Sequence, residues 1–495
     1  MAVAPATDPG RRLPCRADAR PGDPFQGRPA CGAPGAAEGG AVRSGPAGPH
    51  APPAGHHDQG GGRSSRRQTP VCRIRHPEAA RPMQTLILPL LDDILASQAD
   101  KVTAWFDARF AETPALPYAS VDLRHSGVKI APVDTNLFSA GFNNISRAAR
   151  GRASERFKTH LARVAPDGRR LLIVPENHTR NLHYLENVRV LAGIIEQAGW
   201  EVRLGSLMYD LDEAMVLETA TGADIRVEPL RREDGRIGTA DGFVPDVVLM
   251  NNDMTAGAPS ILVDLEQPVI PPLSLGWYRR RKSGHFSAYA QVADAFAEEF
   301  DVDPWLIQAL WHQCGQINFR EKAGLGCVAR GVDKVLHLTR EKYRQYGIES
   351  DPYVFVKADS GTYGMGVMTA RSGEDILEMN KKTRHKMNVI KEGALNTEVI
   401  VQEGVPTVDL IEGESAEPVI YLVDGRAVGG FYRVNKGRGE YDSLNAMGAY
   451  FTQMCDEVEP RIEPAGNGGD APCPFRVFGV LGSLAALAAA REQVI

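Results

Sequence analysis

Apolar runs alternate with segments of helical period through the first half of the sequence. Residues 171–175 and 200–204 are short apolar stretches that predict strands, and residues 184–198 between them carry an apolar stripe that predicts a helix. Gly199 stands where the end of that helix favours a positive φ. Residues 246–250 predict another strand. Strands that alternate with helices predict an α/β fold with a largely parallel sheet.

Helical patterns also lie near residue 100 and at the C-terminus. Apolar residues recur at helical spacing over residues 86–110, and residues 477–490 form the longest apolar run, with 14 residues. A helix needs roughly 18 apolar residues to span a bilayer. The second segment therefore predicts a packed helix, and no membrane partner is expected.

The last third of the sequence predicts strands joined by tight turns. Residues 353–356 form an apolar strand that ends in Lys357, a glycine-rich loop follows, and residues 367–368 resume a strand. Residues 397–401 predict a further strand. Residues 419–423 and 427–433 flank Asp424-Gly425, a pair that tight hairpin turns prefer.

Residues 1–82 differ in composition from the rest of the chain. They contain 14 Pro, 13 Gly, 12 Arg and six acidic residues but no Lys, so they carry a charge of +6 while the remaining 413 residues carry −12. Such a segment cannot bury enough apolar surface to fold, and a disordered tail is predicted. Either the tail is genuine or translation starts at Met83, and we favour the second interpretation.

Charge and cysteine content narrow the classes of function. A charge of −12 argues against a nucleic-acid surface, which needs concentrated Lys and Arg. The cysteines beyond the tail are scattered without a C-x-x-C motif, so neither a disulfide framework nor a zinc site is predicted. A reduced, cytoplasmic protein is expected, and the oligomeric state is left open.

Three polar loops follow predicted strands, which is where ligands of parallel sheets bind. Together they would suit a polar, zwitterionic ligand, although any single loop is better explained by the ordinary turn-forming role of Asn and Asp. The middle loop reads ENHTR (176–180). The candidate substrate residues are Asp134, Asn136, Asn143 and Asn144 in the first loop and Asn251, Asn252 and Asp253 in the third.

A basic run, WYRRRKS, covers residues 277–283. It could clamp a phosphate or a carboxylate, with Arg280 as the candidate substrate residue. The alternative, which we favour slightly, is a solvated turn before a helix over residues 287–300.

The glycine-rich loop after Lys357 is the segment that most strongly suggests chemistry. Its backbone N–H groups and hydroxyls could meet phosphate oxygens, while the lysine adds a positive charge. It matches neither a Walker A loop nor the dinucleotide fingerprint, because no helix pattern follows. An ordinary turn is the alternative. The candidate nucleotide-binding residues are Lys357, Ser360, Gly361, Thr362, Gly364 and Gly366.

The order of these parts resembles the ATP-grasp superfamily. The shared features are Asp333-Lys334 at a helix start, a strand lysine before a glycine-rich loop, the hinge VQEGV (401–405) and a hairpin ending in Arg433. The resemblance implies an N-terminal Rossmann-like pre-ATP-grasp region followed by a C-terminal ATP-grasp domain. It also implies that Lys334 and Lys357 hold phosphates, that Gln402, Glu403 and Val405 hold adenine and ribose, and that Lys357 and Arg433 serve catalysis at the γ-phosphoryl group.

Long runs outside those motifs resemble one family more closely, the ATP-grasp-type glutamate–cysteine ligases of proteobacteria. The runs are KIAPVDTNLFSAGFNN (129–144), MNNDMTAG (250–257), GWYRRRKSGHF (276–286), VFVKADSGTYGMGV (354–367) and YRVNKGRGEYDSLNAMGAYF (432–451). The resemblance implies ATP-dependent ligation of the γ-carboxylate of glutamate to cysteine through an acyl phosphate. The implied partners are glutamate, cysteine and ATP with Mg²⁺, and the implied product, γ-glutamylcysteine, is the first intermediate of glutathione biosynthesis.

The superfamily's Glu-x-Asn metal motif is absent as such. The candidate Mg²⁺ ligands are Glu417, Asn435 and Asn445, whose oxygens are the hard ligands that magnesium prefers, although all three could be exposed turn residues. The predicted division is an α/β substrate-binding region (83–275), a helical linker (276–330) and an ATP-grasp nucleotide-binding region (331–495). The alternatives are another ATP-grasp carboxylate–amine ligase, such as a glutathione synthetase, and a non-catalytic nucleotide-binding protein.

Overall fold

Helices form where the sequence carries apolar stripes. A computed structural model describes residues 87–177, 179–208, 211–360, 366–388, 395–455 and 473–494, all of which fall within the compact unit Thr69–Ile495. The predicted tail, Met83, Gly361, Thr362 and Gly364 lie outside the described residues. The helices are α1 (Ile87–Ser97), α2 (Ala99–Glu112), α3 (Arg147–Val164), α4 (Leu182–Gln197), α5 (Lys282–Phe300), α6 (Leu325–Gln345), α7 (Glu374–Leu377), α8 (Lys381–Asn388) and α9 (Phe475–Arg491).

The strands assemble into one largely parallel sheet, here called the parallel sheet, and two antiparallel sheets. In chain order they are β1 (Tyr118–His125), β2 (Ile130–Asn136), β3 (Arg170–Pro175), β4 (Glu201–Ser206), β5 (Met215–Glu218), β6 (Asp224–Glu233), β7 (Arg236–Thr239), β8 (Val247–Asn251), β9 (Val269–Ile270), β10 (Trp311–Cys314), β11 (Val354–Ala358), β12 (Val367–Ala370), β13 (Val399–Glu403), β14 (Leu410–Ile411), β15 (Glu414–Val423), β16 (Arg426–Asn435) and β17 (Ala449–Gln453).

The predicted parallel sheet is present, in the order β5-β6-β4-β3-β8-β9 with β7 beside β6. Within it, β5 and β7 pair antiparallel with β6. Strand β3 pairs in parallel with both β4 and β8, and Gly199 before β4 has a φ of +95°, as predicted. Helix α4 buries its apolar stripe in the core beside this sheet. The mixed α/β class is therefore confirmed, and the carboxyl ends of β3, β4 and β8 lie along one edge.

A second sheet, here called the shared sheet, joins strands that are far apart in sequence. Its order is β17-β16-β15-β1-β2, with every neighbour antiparallel. The predicted hairpin is confirmed, since Asp424 (φ 54°) and Gly425 (φ 72°) turn β15 into β16. Strands β1 and β2 come from the predicted region 83–275 and β15–β17 from 331–495. The shared sheet thus crosses the predicted division, whose boundaries stay a prediction.

Both faces of the shared sheet are covered because its strands alternate their side chains. Ile420 and Leu422 join the core formed with α1, α2, α5 and α9, whereas Val419 and Tyr421 join the core formed with α3 and α4. Helix α9, predicted from the longest apolar run, is buried along most of its length. In the part of the chain that the structure describes, no helix is both long enough and apolar enough to cross a membrane.

The third sheet, here called the small sheet, has the order β10-β13-β11-β12 and packs against α6. Strands β11 and β12 pair antiparallel, which confirms the predicted hairpin around the glycine-rich loop. The prediction that Asp333-Lys334 starts a helix is wrong. Helix α6 begins at Leu325, because its apolar stripe already includes Leu325 and Val328, and the Asp-Lys pair lies in mid-helix.

One cysteine prediction is also wrong. Cys455 and Cys473 form a disulfide, with an S–S distance of 2.21 Å and Cα atoms 5.9 Å apart. The two cysteines are 18 residues apart, and nothing in the sequence indicates that they come together. Cys314 is buried and Cys327 half-buried in the core of the small sheet.

Candidate active site

A cavity of about 240 Å³, here called the main cavity, lies between the shared sheet and the carboxyl edge of the parallel sheet. Every second residue of the shared-sheet strands faces it, because side chains alternate across a sheet. The shared-sheet wall includes Ser120, Asp122, Asp134, Asn136, Tyr421 and Arg433, and the opposite wall includes Glu176, Tyr184, Asp253 and Trp277.

The main cavity brings together part of the predicted substrate set. Asp134, Asn136, Asn144 and Asp253 line it, together with Arg433 and Asn445. Asn252 lines a second cavity of about 400 Å³ at the ends of β3, β4 and β8, which shares Glu176 and Asp253 with the first.

Two predicted substrate residues face the protein interior instead. The amide nitrogen of Asn251 donates to Tyr118 Oη and to Ser139 O, each at 3.0 Å. Asn143 donates to its neighbour Asn144 at 3.3 Å and does not line either cavity. The contacts of Asn251 are structural, because a buried amide needs protein partners of this kind. Asn143 Oδ1 has no hydrogen-bond partner among the described residues, and the substrate role of Asn143 stays a prediction.

Arg433 lies among three other buried charges on the shared sheet. Its Nη1 donates to Asp122 Oδ2 at 2.7 Å and to Glu417, whose other oxygen accepts Arg124 Nε at 2.7 Å. Burial opposes the charge on Arg433, but Asp122 and Glu417 outweigh it and raise the pKa of the guanidinium. Burial raises the pKa of the Asp122 carboxyl, which Arg433 only partly offsets. The wall of the main cavity therefore holds a permanently charged arginine.

The three predicted Mg²⁺ ligands differ in how their polar atoms are used. Burial opposes ionisation of Glu417, yet Arg124 and Arg433 hold its pKa below the usual range and occupy its oxygens. The amide of Asn435 donates to the carbonyl oxygens of a nearby loop at 3.3–3.4 Å, while Asn445 lines the main cavity. Among the described residues, no group of three or more His, Cys, Asp or Glu could hold a metal ion. Two arginines already occupy Glu417, and the metal-ligand roles of Glu417, Asn435 and Asn445 stay predictions.

Two lysines meet at Asp134. Lys282 Nζ donates to Asp134 Oδ1 at 2.6 Å, and Lys357 Nζ donates to Val133 O at 3.1 Å and to Gln402 Oε1 at 2.7 Å. Burial opposes ionisation of Asp134, but Lys282 and Lys357 outweigh it and lower its pKa to about 2. Burial lowers the pKa of Lys357 to about 8. Two lysines are therefore concentrated around Asp134, on the wall of the main cavity, where their charge suits a phosphate or a carboxylate.

Asp359 explains why Lys282 is placed there. This buried carboxylate accepts from Ser283 N and Ser283 Oγ at 2.7 Å each, so it caps the N-terminus of α5. Because Asp359 directly precedes Ser360, it joins the start of the glycine-rich loop to the helix that begins with Lys282. The interpretation of the basic run as a solvated turn is wrong for Arg280 and Lys282, both of which are buried.

Arg280 is fixed by the C-terminal end of the chain and does not line the main cavity. It donates to both carboxylate oxygens of Glu492, at 2.8 and 3.0 Å, and to Thr135 O at 2.6 Å. His285 Nδ1 lies 2.7 Å from the same carboxylate. These contacts give Arg280 a positioning role, since Thr135 is the residue that follows Asp134 on β2.

The predicted adenine hinge lies on β13 and just beyond it. Glu403 is fully buried and accepts from Lys129 Nζ at 2.9 Å and from Trp305 Nε1 at 3.1 Å, so its carboxylate is used by the protein. Gln402 Nε2 is buried beside Lys357 and has no hydrogen-bond partner among the described residues. A buried donor of this kind calls for an acceptor. A nucleotide can supply that acceptor, so the hinge fits ATP.

The remaining nucleotide candidates flank that hinge. Val405 is buried, and Ser360 and Gly366 (φ 60°) stand at the two described ends of the glycine-rich loop. Lys334 is exposed on α6. Burial lowers the pKa of His312, and the nearby charge of Lys334 lowers it further. The ligand roles of all these residues stay predictions.

Two side chains of the site, Asp122 and Glu492, escaped sequence reasoning, and Lys282 was predicted only as part of the basic run. Asp122 is a charged residue within an apolar strand, a signal that could have been used. Lys282 belonged to a run that also fits a surface turn. Glu492 follows an alanine-rich helix near the end of the chain, where nothing local marks it.

Comparison with known proteins now adds to this geometry. The family model for glutamate-cysteine ligase (GshA) matches residues 92–493. The chain belongs to the glutamate–cysteine ligase family. A solved structure from Methylobacillus flagellatus KT, provisionally assigned as a gamma-glutamylcysteine synthetase, is 41% identical and aligns with a TM-score of 0.78, covering 86% of this chain and 99% of that one. The resemblance seen in the sequence is thus confirmed.

More distant structures add little to this assignment. A glutathione synthetase-like effector from Globodera pallida is 12% identical, with a TM-score of 0.36 over 72% of this chain and 84% of that one. D-alanyl-alanine synthetase A from Vibrio cholerae is 12% identical, with a TM-score of 0.28 over 58% and 73%. Both scores are too low to carry an argument. A search of curated proteins finds no match.

Proposed function

We propose that this protein ligates the γ-carboxylate of L-glutamate to the amine of L-cysteine while ATP is converted to ADP and phosphate. The product is γ-glutamylcysteine, which would make the reaction the first step of glutathione biosynthesis, and the expected location is cytoplasmic. The observation that carries the proposal is the main cavity, whose wall holds Arg433 and Asp134, with Lys282 and Lys357 beside Asp134, in a chain of the glutamate–cysteine ligase family.

The nucleotide belongs, in this proposal, in an ATP-grasp arrangement between the small sheet and the shared sheet. Lys357 supports the placement because it extends from β11 of the small sheet to Val133 O on β2 of the shared sheet, at 3.1 Å. The unpartnered Gln402 Nε2 beside it supports a nucleotide contact at the hinge. Bound Mg²⁺ would neutralise phosphate charge and would be held mostly by the phosphates, as is common for magnesium–nucleotide sites.

The residues act mainly by neutralising charge. A carboxylate becomes an acyl donor only when phosphorylated, and Lys357 and Arg433 would stabilise the oxygens that gain charge during this transfer. The amine of cysteine, having lost one proton to solvent, then attacks the acyl carbon. The C–N bond forms, the bond from carbon to the phosphate oxygen breaks, and phosphate leaves with that electron pair while the nitrogen releases a second proton to solvent.

The test is a product assay on the purified full-length chain. With ATP, Mg²⁺ and glutamate, we expect ADP release and γ-glutamylcysteine by mass spectrometry when cysteine is the second substrate. The Lys357→Met variant should lose at least about a hundredfold in turnover, since it removes a charge from the transferring group. Lys158→Met, which changes an exposed lysine of α3, serves as the matched control.

Three results would count against the proposal. Turnover only with γ-glutamylcysteine and glycine would indicate a glutathione synthetase instead. Turnover of Lys357→Met equal to that of Lys158→Met would remove the phosphate role from Lys357, and ATP binding without any turnover would indicate a non-catalytic nucleotide-binding protein.

A further inference from the structure

Asp122 and Asp134 face each other across the first two strands of the shared sheet. They are direct partners in the antiparallel register of β1 and β2, and the register shifts immediately after Asp122. Like charges directly opposite one another destabilise a sheet. Each carboxylate is accordingly held by a cation, Asp122 by Arg433 and Asp134 by Lys282. Both also line the main cavity, where they present oxygens to whatever occupies it.

An independent observation on the same cavity points to a ligand. Trp277 lines the main cavity and is 3% exposed, yet its indole Nε1 is buried without a hydrogen-bond partner among the described residues. An indole nitrogen can only donate, so it requires an acceptor oxygen. Lys282 and Arg280 lie over the ring, at 4.6 and 4.9 Å from its centroid, and make this wall favourable for a negative group.

We propose that Asp122, Asp134 and Trp277 form the binding site for the acceptor amino acid, with the paired carboxylates receiving its ammonium group and the indole N–H donating to its carboxylate. The inference rests on the proposed ligase function and assigns the cysteine substrate to one place in the main cavity. An α-amino acid offers this combination of three N–H donors and a carboxylate acceptor on adjacent carbons.

The position of the carboxylates selects the acceptor over glutamate. The attacking nitrogen must approach the acyl carbon to about 3–3.5 Å. The acyl phosphate belongs beside Lys357 and Arg433. Asp122 contacts Arg433 at 2.7 Å, and Asp134, held by Lys282 at 2.6 Å, is close enough to Lys357 for that charge to lower its pKa. The α-ammonium of glutamate is separated from its own γ-carboxyl by three carbons, so it must bind farther away.

The test separates the acceptor step from phosphorylation of glutamate. Hydroxylamine is a small, uncharged nucleophile without a carboxylate, and it can trap an acyl phosphate as a hydroxamate. For Asp134→Asn we expect kcat/KM for cysteine to fall about ten- to hundredfold, as expected for lost hydrogen bonds to a charged group. For Trp277→Phe we expect about a three- to tenfold fall. In both variants, the loss measured with cysteine should exceed the loss in hydroxamate formation by about these factors, since hydroxylamine makes neither contact.

Asp122→Asn is a second carboxylate variant, and Asp224→Asn, at an exposed position on β6, is the matched control. Equal losses with cysteine and with hydroxylamine in Asp134→Asn and Trp277→Phe would overturn the inference, as would a raised KM for glutamate alone. Wild-type protein that forms neither γ-glutamylcysteine nor the hydroxamate would overturn the proposed function itself. The two failures are therefore distinguishable.

Discussion

Replacing Glu492 by glutamine should destabilise the protein markedly, because this carboxylate joins the C-terminal end of the chain to the start of α5. It accepts from Arg280 through both oxygens, at 2.8 and 3.0 Å, and lies 2.7 Å from His285 Nδ1. The side chains of Arg280 and Glu492 are 2% and 9% exposed. Glutamine has nearly the same shape but leaves the guanidinium buried without a counter-charge.

Two routes give a similar magnitude. Removing one partner of a buried ion pair typically costs about 3–5 kcal/mol. Burial opposes ionisation of Glu492, but Arg280 and His285 outweigh it and lower its pKa from 4.5 to about 2. A shift of that size corresponds to about 3 kcal/mol of folding free energy at neutral pH.

The sign of the pH dependence follows from the same shift. A carboxyl whose pKa is lower in the folded state stabilises the fold above the unfolded pKa, and this contribution is lost as the pH falls through the folded pKa. The difference in unfolding free energy between wild type and Glu492→Gln should therefore be full at pH 7 and shrink between about pH 5 and pH 2.

Urea unfolding followed by circular dichroism measures this difference. Glu299→Gln is the matched control, since Glu299 pairs with Lys101 at 2.8 Å with both side chains more than 40% exposed, and exposed pairs contribute little. If the two variants shifted the urea midpoint equally, or if the Glu492→Gln effect did not change with pH, the reasoning from the buried pair would be wrong.

Two further predictions concern Lys357 and the hinge. Because the pKa of Lys357 is lowered to about 8, kcat/KM for ATP should fall as the pH rises through about 8. Lys357→Arg should move this fall in kcat/KM to higher pH. If the fall stayed at the same pH in Lys357→Arg, another group would be responsible for it. At Gly404, an added Cβ would lie 2.4 Å from the ring of Tyr353, so Gly404→Ala should cost about 1–3 kcal/mol in unfolding free energy. At Gly193 in α4, an added Cβ has no heavy atom within 4 Å, so Gly193→Ala should raise the unfolding free energy by about 0.5–1 kcal/mol. Equal effects of the two substitutions would contradict the steric explanation.

Local patterns predicted the elements that depend on neighbouring residues. The β3–α4–β4 unit, the hairpin at Asp424-Gly425 and the hairpin around the glycine-rich loop follow from apolar period and turn chemistry over a few tens of residues. Lys357 was recognised for the same reason, since it directly precedes that loop. Arg433 was predicted from the resemblance to a family, and its side chain lines the main cavity.

The rest of the site depends on contacts between distant parts of the chain. Strand β1 pairs with β15 about 300 residues later, for example Asp122 with Val419, and no local period encodes such a pairing. The charge clusters at Arg433 and Asp134 form only once that sheet exists. Glu417 was predicted as a metal ligand from its position at the start of a predicted strand. In the fold, Arg124 and Arg433 contact its two carboxylate oxygens.

The acyl phosphate is the central claim, and the fate of labelled oxygen tests it most directly. Glutamate carrying ¹⁸O in its γ-carboxylate is incubated with ATP, Mg²⁺, cysteine and the full-length chain, and the released phosphate is examined by mass spectrometry. We expect each phosphate released during ligation to carry one ¹⁸O from glutamate. Phosphate that forms with γ-glutamylcysteine but carries no ¹⁸O would contradict the account.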